Sequence, residues 1–186
     1  LGHAVYMGPY RHELIRVLLN HGASLNYITD HGSSILTDLC SSEDTDPEIL
    51  QLVLGNIKKK SRVNFKRRGR TLKWRNIYRL ARLLTRNKLI NSGLMAALAQ
   101  DSGSTALHYA VQREDVDVVN ILVESGANPT ITNDIGKTSV DCCEDFPELK
   151  GALKRLIQQR RGKGRKITTL HRRNSTASNM GFPMYL

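Results

Sequence analysis

The chain has 186 residues, 40% hydrophobic and 24% charged, which is enough for one compact domain or one short solenoid with a tail. No apolar run approaches the roughly 20 residues that cross a bilayer as a helix, so no segment reads as a membrane span. Net charge is +11, and all 17 acidic residues lie outside 49–100 and 149–186, stretches that hold 14 and 10 of the 28 Lys and Arg.

The four remaining basic residues leave the rest of the chain at −13. Two basic zones on an acidic body predict an anionic partner, or pairing between zones and body. Cys40, Cys142 and Cys143 have neither a disulfide framework nor zinc-site spacing, which predicts reduced thiols and a cytoplasmic or nuclear setting. The chain opens on Leu1-Gly2-His3-Ala4-Val5 in mid-pattern and without an initiator Met, as a piece of a longer protein would.

In chain order, Leu14, Ile15, Leu18 and Leu19 form an apolar helical stripe that stops at His21-Gly22. A turn follows at Asp30-His31-Gly32, and Gly32 opens a series with Gly69, Gly103 and Gly136, spaced by 37, 34 and 33 residues. Two residues after each glycine stands Ser34, Thr71, Thr105 or Thr138; two before stands Asp30, Arg67, Asp101 or Asp134. Glycine permits the positive backbone angle of a tight turn, and the hydroxyl can cap the first turn of a helix. After Thr105, Leu107 and Ala110, then Val118, Val119, Leu122 and Val123, are spaced as two short amphipathic helices broken near Gln112–Asp115. Ser125-Gly126-Ala127 suits a left-handed helix cap. Pro147 suits the first position of a last helix, with Leu149, Leu153, Leu156 and Ile157 as its buried stripe.

Gly103-Ser104-Thr105-Ala106-Leu107-His108-Tyr109-Ala110, followed by Val118 through Pro129, resembles an ankyrin repeat almost position for position, with Ala106 where the family prefers Pro. Leu14 through Asn26 matches the second half of the same unit. The resemblance implies an all-α, ankyrin-type solenoid of stacked helix-turn-helix repeats with short hairpin fingers. On this reading the array covers 1–158, with copies at about 1–31, 32–68, 69–102, 103–135 and a cap at 136–158, and a basic disordered tail at 159–186. The copy at 69–102 is the most degenerate, with Lys73 and Trp74 where Leu and His belong. The resemblance also implies that His108 ties neighbouring turns together, and that the chain is a protein-interaction module of a larger scaffold or regulatory protein, not an enzyme. The family's binding surface, carried over by position, takes Arg67, Arg68 and Arg70 at one finger. Asp101, Ser102 and Ser104 stand at the next, Asn133, Asp134 and Ile135 at a third, and Tyr109, Gln112 and Arg113 along the groove.

No catalytic, metal or cofactor site is expected. His3, His12, His21 and His31 lack metal-ligand spacing, Cys143 aligns with the small packing position of Ala110, and Arg161-Gly162-Lys163-Gly164-Arg165 is not a phosphate loop. The residues most suggestive of a distinctive function lie between Thr71 and Lys88. At helical period Trp74, Ile77, Tyr78, Ala81 and Leu84 share one face, and Arg75, Arg79, Arg82 and Arg86 form a stripe beside it. No acidic residue within the segment relieves these like charges, which predicts an acidic neighbour in the fold or an anionic partner, and Trp74, Tyr78 and Leu83 have the 1-5-10 spacing of calmodulin targets. Nucleic acid and anionic membrane are the alternatives, weakened for single strands by the few interleaved aromatics. Arg172-Arg173-Asn174-Ser175 resembles a basophilic kinase substrate, which makes Ser175 a candidate phosphorylation site.

Overall fold

The computed structural model describes residues 11–42, 45–58, 62–89, 92–143, 147–155 and 158. His3, the stripe positions Leu156 and Ile157, the 159–186 tail and Ser175 lie outside the described residues. The elements are α1 (Arg11–Asn20), α2 (Ile35–Ser41), α3 (Pro47–Gly55), α4 (Leu72–Arg86), α5 (Gly93–Asp101), α6 (Ala106–Gln112) and α7 (Val116–Glu124), with helical backbone again over 147–155. Among the described residues the only β pairing is two isolated bridges, Ile28 with Ser34 and Thr132 with Thr138, each closing a finger. The fold is thus all-helical, as the repeat implies.

Local chemistry sets the helix boundaries. Ser34 caps α2 in a reciprocal box with Thr37, and the Asp46 and Asp115 carboxylates accept from the first-turn amides of α3 and α7. Pro47 sits in the first turn of α3, where its missing N–H breaks no bond. Gly126, at φ 103°, ends α7 while the Ala127 amide reaches back to the Leu122 carbonyl. Gly22 ends α1 in the same way, with Ala23 donating to Leu18.

Packing then departs from the expected order. α2 packs directly on α6 and α3 directly on α7, while α4 and α5 pack chiefly on each other. The helices of the copy expected at 69–102 therefore do not stand between their neighbours in the stack. Backbone hydrogen bonds give the reason. In the first finger the Thr29 amide donates to Ser33 and the Gly32 amide to Thr29. In the last finger Asn133 donates to Lys137 and Gly136 to Asn133. The same pair recurs as Arg67 to Ser104 (2.8 Å) and Gly103 to Arg67 (2.7 Å). Two residues form the tip of the outer fingers, 30–31 and 134–135, whereas the tip of the middle finger is everything from 68 to 102. The α4–α5 hairpin is an insertion at a finger tip.

Burial agrees. One core runs from Ile15 through Leu36, Leu39, Leu50, Leu107 and Leu122 to Leu153, with Cys40 and Cys143 in it. Tyr78, Ala81 and Ala99 are buried too, but as a separate apolar centre inside the hairpin. The Asn64 side chain sets the register between consecutive copies, donating to the Gly126 carbonyl and accepting from the Asn128 amide at 2.7 Å.

Close stacking of fingers requires glycine at Gly103. Its φ is +79°, and a methyl there would fall 2.5 Å from Asp134 Oδ1 and 2.6 Å from the Asp134 amide nitrogen. Gly22 has a similar φ of +76° with open space around it. Gly22→Ala should therefore cost only the backbone penalty, about 1 kcal/mol, and Gly103→Ala about 2–4 kcal/mol. Chemical denaturation of the two variants checks this; equal losses would mean that the fingers do not touch at Gly103.

Candidate protein-interaction surface

The fingers and the inserted hairpin form one continuous face, and polar contacts hold it together. At the base of the hairpin, Arg67 Nη1 donates to the Tyr109 hydroxyl (2.8 Å) and pairs with Asp101 Oδ2 (3.1 Å), while the Tyr109 hydroxyl donates to Asp101 Oδ1 (3.0 Å). This triangle joins the residue before the insertion, the last residue of α5 and the inner helix α6. Burial disfavours the Arg67 charge, but Tyr109 and Asp101 outweigh it and hold the guanidinium protonated. Burial also pushes the Tyr109 hydroxyl well above its usual range, so it stays protonated and can donate.

The hairpin leans on both neighbouring fingers. Toward the first, the Tyr78 hydroxyl donates to the His31 carbonyl (3.0 Å), Trp74 meets the His31 ring edge-on at 5.6 Å, and the Arg70 amide donates to Asp30. Toward the last, Arg82 pairs with Asp134 at 2.8 Å. The same carboxylate accepts from the Ser102 hydroxyl at 2.7 Å and lies 3.9 Å from Lys66 Nζ.

His108 carries the link between turns that the repeat implies. Its Nδ1 accepts from the Thr105 amide, which leaves Nε2 as the donor to the Lys137 carbonyl at 3.2 Å. Burial lowers its pKa below the ordinary 6.5, and burial lowers that of His31 as well. As pH falls through 6.5 the unfolded chain takes up these protons first. The stability is fully present above 6.5 and is lost below it. The melting temperature should fall between pH 7.5 and 5.5, and the slope should be shallower in His108→Gln. Parallel slopes in parent and variant would show that His108 titrates alike in both states.

The positions expected at the binding surface divide into two groups. Arg67, Asp101 and Tyr109 are tied up in the triangle, and Arg82 and Asp134 in their ion pair. Ser102, Ser104 and Asn133 are buried: Ser104 donates to the Gln100 carbonyl, and Asn133 accepts from the Ile135 and Lys137 amides. Arg113, half-buried, reaches the Ser41 carbonyl at 3.5 Å. Arg68, Arg70, Arg75, Arg79, Arg86, Gln112 and Ile135 face solvent. Of the outer leucines of the hairpin, sequence reasoning singled out Leu83 alone. Leu72, Leu80, Leu83, Leu89 and Leu94 are five of the nine large exposed hydrophobics among the described residues. For Leu72, Leu80 and Leu83 the signal was the second apolar ridge of α4, opposite the face of Tyr78 and Ala81; Leu89 follows α4 and Leu94 lies on α5.

The calmodulin spacing meets an obstacle. Tyr78 is 2% exposed and Trp74 packs against it, so a wrapping groove could reach Leu83 but not the other two anchors without unfolding the hairpin. Among the described residues no group of His, Cys, Asp and Glu could hold a metal ion, and no helix is long and apolar enough to cross a membrane. The Cys40 thiol is buried and pushed up to about 12 by desolvation, so it is no nucleophile at neutral pH.

Residues 102–134 match the family model for the ankyrin repeat. The chain is 32% identical over 147 residues to the nuclear factor NF-kappa-B p105 subunit of Gallus gallus, covering 76% of this chain and 15% of that protein. It is 37% identical over 81 residues to the mitochondrial disaggregase of Bos taurus, covering 44% and 12%. A putative ankyrin repeat protein of Acanthamoeba polyphaga mimivirus is 43% identical over 49 residues, 26% of this chain and 12% of that one. The chain thus spans less than a sixth of the length of these relatives. Ankyrin repeats form a non-enzymatic fold that mediates protein–protein interaction. With the finger bonds, the His108 link and the match at 102–134 in register, this chain is an ankyrin-repeat protein.

Proposed function

We propose that the chain is a protein-recognition module of a larger scaffold or regulatory protein, and that the hairpin inserted at its middle finger is the main reading surface. The observation that carries this is the hairpin's outer face. It combines exposed leucines with Arg75, Arg79 and Arg86, and among the described residues none of these arginines forms an ion pair. Ordinary solvated surface seldom combines a large apolar ridge with a single-sign charge stripe. The exposed finger and groove residues Arg68, Arg70, Gln112 and Ile135 extend the same face. Arg67, Asp101, Ser102, Ser104, Tyr109, Arg113, Asn133 and Asp134 contribute by fixing its shape. The free thiols fit a cytoplasmic or nuclear setting.

The test is affinity capture with the intact parent chain, comparing wild type with Arg75→Gln/Arg79→Gln/Arg86→Gln by quantitative mass spectrometry. Specific partners should drop at least about tenfold in the variant while its melting temperature holds, since exposed charges contribute little to stability. Identical recovery would put the partner site elsewhere on the stack.

A further inference from the structure

We propose that the cleft between α4 and the last finger binds an extended acidic peptide bearing one apolar anchor residue. This rests on the hairpin being an interaction surface and adds the chemistry of what it reads.

Two adjoining clefts, of about 700 and 440 Å³, share Arg79, Arg82 and Asp134. Arg86 borders the larger one, and Arg68, Arg70 and Arg75 border the smaller. Among the described residues Asp134 is the one carboxylate lining either, and it is already engaged by Arg82, Ser102 and Lys66. Arg82 is thus a neutralised part of the floor, and the unbalanced charge sits on the exposed Arg75, Arg79 and Arg86. The larger cleft is also apolar on both sides, with Leu83 56% exposed on α4 and Ile135 38% exposed on the finger tip. A side chain seated between them would shield both from water.

Spacing sets the length of the ligand. Arg75 to Arg86 spans about 16 Å along a helix that rises 1.5 Å per residue, the reach of about five extended residues. Arg79 and Arg86 lie about 10 Å apart on the same count, so acidic residues about three positions apart would flank the anchor. A single-stranded nucleic acid would need exposed rings for its bases, but Tyr78 is buried and Trp74 packs on His31, leaving Leu83 and Ile135 as the apolar lining among the described residues. A flat bilayer can touch the ridge of Leu72 and Leu80 but cannot enter between Leu83 and Ile135.

The test is fluorescence anisotropy on the full chain with labelled Gly-Ser-Asp-Glu-Leu-Asp-Glu-Ser-Gly, the same peptide with Ser for Leu, a thymidine 12-mer, and phosphatidylserine vesicles. The leucine peptide should bind at least about tenfold tighter than its serine version, and Arg79→Gln/Arg86→Gln should weaken it by a similar factor. Ile135→Ser should weaken the leucine peptide and leave the serine peptide unchanged. Equal binding of the two peptides, an unaffected arginine variant, absent binding at low salt, or preference for the oligonucleotide or the vesicles would each overturn the proposal. If peptide binding fails while partner capture still depends on the arginines, the peptide chemistry is wrong and the hairpin surface stands. If both fail, so does that surface.

Discussion

Leu107→Asp should leave the chain largely unfolded at 25 °C. Leu107 is 1% exposed on α6, and its helix packs on both α2 and α7. Truncating such a leucine costs about 3–5 kcal/mol, and a carboxylate with no cation in reach adds a desolvation penalty of several more. That total matches the whole stability of an ordinary domain, about 5–15 kcal/mol. Leu107→Met keeps the volume and should cost less than about 1.5 kcal/mol. The informative control is Leu80→Asp on α4, where the side chain is 53% exposed; it should change stability by no more than about 0.5 kcal/mol. Denaturant titration of the three variants separates the cases. Similar losses for Leu107→Asp and Leu80→Asp would mean that α6 holds no privileged place in the core.

The contrast between those two leucines also marks how far the sequence could be read. The copy at 103–135 was legible because each local signal agreed with the tertiary role: glycine at the turn, Thr105 at the cap, Leu107 and Leu122 inward, Gly126 at the end. The hairpin was legible as an amphipathic helix, with Tyr78 and Ala81 buried as expected, but not in its placement. A finger tip of two residues is replaced here by one of thirty-five, an excess of thirty-three, which is the length of one ankyrin repeat. Glycine spacing therefore runs on undisturbed through an element that is not stacked. Gly69 and Thr71 complete the disguise, since Thr71 does cap a helix, accepting from the Trp74 amide. What betrays the insertion is the helix itself. α4 has 15 residues where the inner helices α2 and α6 have 7, and Lys73 and Trp74 replace the leucine and histidine that a stacked copy uses for its core and its link to the next turn. The roles of Ser102, Ser104 and Asn133 were beyond sequence reasoning for another reason. A turn residue that faces solvent and one that holds the adjacent finger have the same composition.

Cutting out 68–102 and joining Arg67 to Gly103 through Asp-Ile, the dipeptide at the tip of the last finger, should leave a folded stack. The Arg67–Gly103 and Arg67–Ser104 bonds already have the geometry that a two-residue tip closes in the outer fingers. Among the described residues, the core from Ile15 to Leu153 includes none of the hairpin. What goes includes Asp101 beside Arg67, the Tyr78, Trp74 and Arg70 contacts with the first finger, the Arg82 and Ser102 contacts of Asp134, and the Gln100 carbonyl that accepts from Ser104 and Asn133. Arg67 keeps the Tyr109 hydroxyl, and its freed charge gains water once the hairpin no longer covers it, so the loss should stay near 1–3 kcal/mol. Melting should remain cooperative, a few degrees lower, with helical circular dichroism reduced by the fifteen residues of α4 and the nine of α5. Binding should respond very differently: with the leucine ridge and the arginines gone, recognition through the hairpin should vanish while the stack survives. An excised chain that aggregates or melts without cooperativity would mean that α4 and α5 support the repeats as a stacked copy does. One that folds and still retains every partner would leave the outer fingers and the groove as the whole of the binding surface.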